Sequence, residues 1–366
     1  NTIGDQNVAV GRSAMENNTT GGNNVAVGSN SLQLNTIGAN NVAVGYLSLF
    51  TNTTGNKNTA VGGNSLYSNT IGANNSAFGY QSLYFNLTGN NNSAFGYRSL
   101  FSNTIGNENS AFGFKSLNSN TTGNYNTAVG HSALYANTFG IYNTAVGRSS
   151  LLSNTFGNYN TAFGQQSLQA NTTGSNNTAI GTYSLYNNTT NNNSAFGYKA
   201  LFANTTGGSN SAFGYKALRY NTTGSQNTAV GDQSLYSNTT GASNIAVGFQ
   251  SLYANTTGLQ NIAIGRSSLE NNTAGSNNTV IGYNTGLGIT TGNYNTILGA
   301  NVTGLSATIA NNIIIADGQG NRRINVDSSG NVGIGTTGPA TKLEVVGTIT
   351  CTTMIETSSV VAKTNV

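Results

Sequence analysis

The groups in this 366-residue chain that could do chemistry are few. Before residue 317 the carboxylates are Asp5, Glu16, Glu108, Asp232 and Glu270, and no two of these lie close together in sequence except Asp5 and Glu16. Hydrolysis of a glycosidic bond needs two carboxylates about 5–10 Å apart. His131 is the sole histidine and Cys351 the sole cysteine, so neither a catalytic triad, a multi-cysteine metal site nor an internal disulfide can be assembled. His131 reads as a substitution at a variable surface position. Turns that hold calcium in solenoid repeats are rich in Asp; the turns here use Asn and Thr, which are weak neutral oxygen donors. Gly333-Ile334-Gly335 echoes a phosphate-binding loop but lacks the strand–helix unit that would make it one. The expectation is no catalytic, cofactor-binding or metal-ligating residue, and a protein that is not an enzyme.

Composition narrows the partners. Charged residues make up 6% of the chain and the formal net charge is +4. Phosphate backbones are bound by clustered cations, and only Arg322-Arg323 are adjacent, so nucleic acid is not an expected partner. Disordered chains are usually rich in Pro and charge; this one has a single Pro. No apolar run approaches the ~20 residues that span a bilayer. The chain opens at Asn1 and not at a methionine, which reads as processed or cropped.

The elements that must position these residues come from a repeat. Asn7-Val8-Ala9-Val10-Gly11 recurs every 17 residues, as Asn24 to Gly28, Asn41 to Gly45 and onward to Gly181. One 16-residue step leads to Gly197, and the period resumes through Gly299. A final copy, Asn312-Ile313-Ile314-Ile315-Ala316, lacks the glycine and brings the total to 19. A full unit reads Asn58-Thr59-Ala60-Val61-Gly62, then Ser65-Leu66, then the corner Asn69-Thr70-Ile71-Gly72. At the short step the corner is Asn188-Thr189-Thr190-Asn191, so the missing residue falls in a turn, where deletions are tolerated. Two-helix repeats need roughly 33 residues or more, and the regular glycines would break a helix. Each unit offers a strand at the pentad and a second β-like segment at Ser-Leu. The fold class is therefore all-β: a parallel β-solenoid or β-roll with one 17-residue repeat per coil. At a strand spacing of 4.7–4.9 Å, Glu108 and Asp232 lie about 35 Å apart.

In such a stack, sequence columns become ladders. Asn heads every pentad and opens 17 successive corners, from Asn1 to Asn272; stacked amides would satisfy buried turn groups. The Asn-x-Thr and Asn-x-Ser triplets follow from this consensus and are not read as glycosylation sites. Alanine fills the third pentad position to Ala263, followed by Val280, Ile297 and Ile314, while the fourth is aliphatic or Phe. Neighbouring strand residues point to opposite faces, so these columns diverge. A third apolar column runs from Met15 through Leu32 to Leu269. A thin core holds one or two columns, and the remaining apolar stripe exceeds what a monomer leaves bare. Cover by copies of the same chain is expected. The residues separate an oligomer from a monomer better than three chains from two.

The tandem pentads with their Asn-Thr-Thr-Gly corners resemble the head repeats of trimeric autotransporter adhesins over residues 1–316. That resemblance implies left-handed β-rolls, three chains side by side, on a bacterial surface; the period here is longer than the family's. Residues 317–347, non-repetitive and β-rich, contain Arg323-Ile324-Asn325-Val326-Asp327, Gly330-Asn331-Val332-Gly333-Ile334-Gly335 and Lys342-Leu343-Glu344-Val345-Val346-Gly347. They resemble the segment preceding the intramolecular chaperone of phage tail fibres and tail spikes, which implies trimerisation and self-cleavage. Residues 348–366 are then a tail or the start of a cleaved or missing domain.

One surface column could bind something. The residue after the Leu column is aromatic in nine coils: Phe50, Tyr67, Tyr84, Phe101, Tyr135, Tyr186, Phe202, Tyr236 and Tyr253. Stacking along the rod or burial between chains is the first expectation for it, and contact with a sugar or protein the second. The combined reading is the homotrimeric shaft of an extracellular fibre, on a cell surface or a virion, with a host-surface receptor or glycan as a further partner. Alternatives are a phage receptor-binding fibre, a self-polymerising filament, an ice-binding solenoid (whose Thr array Ile37, Ile71, Phe139 and Phe156 interrupt) and a tail-spike glycanase.

Overall fold

The computed structural model describes residues 3–350 and 352–353; Cys351 and the tail from 354 lie outside the described residues. Every pentad forms a short strand, from β1 (Val8–Val10) to β19 (Ile313–Ala316), and each strand pairs in parallel with the same columns of the next. Ala60 faces Ala77 and Val61 faces Phe78, one coil on. The chain is an all-β parallel solenoid of 18 turns between 19 strands. Among the described residues there is no helix, hence none long and apolar enough to cross a membrane.

The core is thin, as two columns require. Alanines from Ala26 to Ala263 and leucines from Leu32 to Leu269 are fully buried, while the fourth pentad position points out. Near the end of the rod the columns exchange size. Where Val280 replaces Ala, Gly286 replaces Leu, and Ile289 takes the corner Asn position. Volume leaves one column as it enters another, so packing density is kept.

The Ser-Leu segment is not a strand. It is a run of turns in which alternate residues, such as Gln81 (φ +56°) and Leu83 (φ +50°), are left-handed, which no strand permits. Its amides still bridge the coils: Leu83 N–H donates to Ser99 O at 3.0 Å and Gln81 N–H to Gly63 O at 3.0 Å. Burial of the Leu column and these bonds offset the cost of the backbone.

The two glycine columns have different causes. Gly62 has φ +131°, and a Cβ there would meet the Gly79 carbonyl oxygen at 2.7 Å. Corner Gly55 has no such φ; its Cβ would collide with Asn52 Oδ1 and the Gly72 carbonyl. That carbonyl accepts two buried amides, Asn58 Nδ2 at 2.8 Å and Asn69 Nδ2 at 2.9 Å. Outside the short coil, corner Asn residues also donate to the Asn below, as Asn69 does to Asn52 Oδ1 at 2.8 Å. Both Asn columns are thus spent on the ladder. Asn52, the acceptor residue of a glycosylation triplet, is fully buried in it.

At the 16-residue step the strands keep register: β11 (Thr178–Ile180) pairs with β12 (Ser194–Phe196) through Ala179 and Ala195. The Thr190 carbonyl stands where the glycine carbonyl would be, accepting Asn177 Nδ2 at 2.7 Å and Asn188 Nδ2 at 2.8 Å. The deletion leaves one trace. Asn171 Oδ1 is buried without a donor, because Asn188 no longer reaches it.

After β19 the pairing direction reverses. β20 (Arg322–Val326) and β21 (Val332–Ile334) run antiparallel to their predecessors, and β22 (Leu343–Val345) pairs in parallel with β21. Both hairpin turns carry the same clip. Asp317 Oδ1 accepts the amides of Gln319 and Asn321, and Asp327 Oδ1 those of Ser329 and Asn331, at 2.9–3.0 Å.

Candidate functional site

The residues whose types suggested chemistry are dispersed. Asp5, Glu16 and Glu108 are exposed, and Asp232 and Glu270 half-buried, each in a different coil. Glu16 accepts Gln33 Nε2 at 2.7 Å. Glu108 stands beside Tyr125, whose hydroxyl is pushed above its ordinary pKa by that negative charge. Among the described residues no three His, Cys, Asp or Glu side chains cluster. Gly333 is buried within β21, and Gly335, just past it, lines an open hollow of about 610 Å³ together with Arg322 and Arg323. Arg323 is already paired with Asp317, and Asn321 with Arg323 holds the Asp317 carboxyl well below the usual range.

The organised surface is the arm of each coil between the pentad glycine and the corner Asn. All nine aromatic residues of the post-Leu column are half-buried there. Phe50, Tyr67, Tyr84 and Phe101 stack in series at 5.3, 5.0 and 5.4 Å. Tyr186 stacks on Phe202 and Tyr236 on Tyr253. The first expectation, stacking along the rod, is met by these eight. Tyr135 is the exception: among the described residues it makes no ring contact, with Asn118 and Leu152 as its column neighbours.

A second aromatic ladder runs parallel to the first and went unread in the sequence. It occupies the position after the pentad glycine: Tyr80–Tyr97 at 5.9 Å, Tyr97–Phe114 at 5.2 Å and Phe114–His131 at 4.9 Å. His131 is therefore the last rung of an aromatic column. The signal was available in the 17-residue spacing of Tyr80, Tyr97 and Phe114. Cations sit against these rings. Arg98 lies 4.9 Å from the Phe101 centroid, and Lys115, Lys199 and Lys216 lie 5.3, 5.2 and 4.5 Å from Phe114, Tyr198 and Tyr215. Between the ladders, Phe114, Lys115, His131, Ser132, Tyr135 and Leu152 line a shallow hollow of about 430 Å³. The arm offers ring edges, ring faces where a ladder ends, and fixed positive charge, but no nucleophile–base pair.

Comparison with protein families, with curated proteins and with solved structures gives no match to this chain.

Proposed function

We propose that the chain is the structural shaft of an extracellular fibre, on a bacterial surface or a phage virion, in which rods lie side by side, three to a bundle, and give stiffness, reach and adhesion. The observation that carries this is the outward column of the strand. Val129 is 38% exposed, Phe112 39% and Phe163 56%, and the column continues as an aliphatic or phenyl side chain in every coil. A straight apolar stripe of this length is covered most simply by its own copy. The 18 turns amount to roughly 85–90 Å of rod, and the amide ladders and stacked rings supply rigidity without a large core.

The resemblance to adhesin heads and to the segment preceding a tail-fibre chaperone favours three chains over two and an external location. End-to-end polymerisation is the second reading. An ice-binding array is less supported, since corner hydroxyls such as Thr53 Oγ1 already donate to the next coil (3.1 Å to Thr70 O). The mass of the purified chain in solution is the test.

A further inference from the structure

We propose that the arm is a side-on binding face for an acidic polysaccharide, centred on the hollow between Phe114, His131, Tyr135 and Leu152. The first ground is the distribution of charge. From residue 17 to residue 231 the arm carries Arg98, Lys115, Arg148, Lys199, Lys216 and Arg219 and no carboxylate. The one acid in that stretch, Glu108, belongs to the segment beyond the corner, beside Tyr125. Among the described residues the single ion pair is Arg323–Asp317, so none of the arm's cations is neutralised by an acid. All but Arg148 rest against aromatic rings, which hold a cation in place without cancelling its charge.

The second ground is where the ring ladders break beside the hollow. Within a ladder each ring covers its neighbour, leaving only edges to solvent. Tyr135 has no ring above or below it, and His131 closes its column with Arg148 in the next coil. An apolar sugar face on Tyr135, hydroxyls toward Ser132 and Ser153, and a carboxylate toward Lys115 use every kind of group that lines the hollow.

The same features disfavour nucleic acid. Lys115 and Arg148 are two coils apart, about 9–10 Å along the rod, whereas duplex DNA presents a charge every ~1.7 Å. A single-stranded chain needs successive open aromatic faces, which the ladders cover. A polymer with one carboxylate per sugar or pair of sugars matches the sparse spacing. The arm lies off the outward Val/Phe column, so bundling through that column leaves it accessible.

The test titrates the purified chain with a linear oligogalacturonate, a neutral glucan and a single-stranded oligonucleotide. Expected is binding of the uronate alone, weakened severalfold between about 50 and about 200 mM salt. K115Q with R148Q is expected to weaken it about tenfold, Y135A to weaken it too, and K57Q, on another side of the coil, to change nothing. Equal binding of the neutral glucan, tighter binding of the oligonucleotide, no uronate binding, or variants that bind as the parent does would each overturn the proposal. Sedimentation of the same samples separates it from the fibre reading: a monomer that binds the uronate contradicts the fibre alone, and a trimer that does not contradicts this face alone.

Discussion

Gly62 and Gly63 are adjacent glycines with opposite burdens. Gly62 is left-handed and faces the next coil's carbonyl at 2.7 Å, whereas a Cβ on Gly63 meets nothing nearer than the Tyr80 ring at 3.4 Å. Gly62→Ala is expected to lower stability by backbone strain of about 1–3 kcal/mol with a steric clash added, and Gly63→Ala to be close to neutral. Denaturant unfolding of the two variants checks this; equal losses would mean that the column does not set the coil spacing. At this scale the sequence was legible because a column repeated many times reports a constraint even when its cause is hidden. A glycine column marks a required residue, but the column alone does not separate positive φ from close approach. His131 is the exposed substitution that its position implied, but its stacking on Phe114 went unread because it was weighed alone and not against Tyr80, Tyr97 and Phe114 of its own column.

At the scale of the element, the short coil is a natural deletion whose consequence is a single orphaned acceptor, Asn171 Oδ1. Inserting Gly between Thr190 and Asn191 restores the 17-residue unit and is expected to stabilise the rod by about 1 kcal/mol, read as a raised unfolding midpoint; a lowered one would contradict the ladder account. The C-terminal hairpins respond to pH differently. Hydrogen bonds from Asn321 and Asn331 hold Asp317 and Asp327 below the usual carboxylate range. Their contribution is present above the unfolded-state value of about 3.9 and is lost as pH falls through the lower folded values. Acidification is expected to speed hydrogen exchange at Val332 while Thr127, bonded within the uncharged coil stack (2.8 Å to Asn143 O), stays protected. Equal acceleration at both sites would contradict this. The strand of each coil was readable from its alternation. The Ser-Leu turns were not, because left-handed leucines carry no local signature and are stabilised by coils that are distant in sequence.

For the whole molecule, coil count, register and the divergence of the Ala and Val/Phe columns to opposite faces all follow from one period, and the structure bears them out; that Ala is the inward column is seen only in the structure. What covers the outward stripe is a relation between chains, which a repeat within one chain specifies only by implication. The bundle is the central claim, and sedimentation equilibrium of the purified chain is its most direct measurement. The account predicts a single elongated species with three times the 37.6 kDa chain mass, undissociated on dilution. A stable, soluble particle of one chain mass, with Phe112 and Val129 open to water, would contradict it.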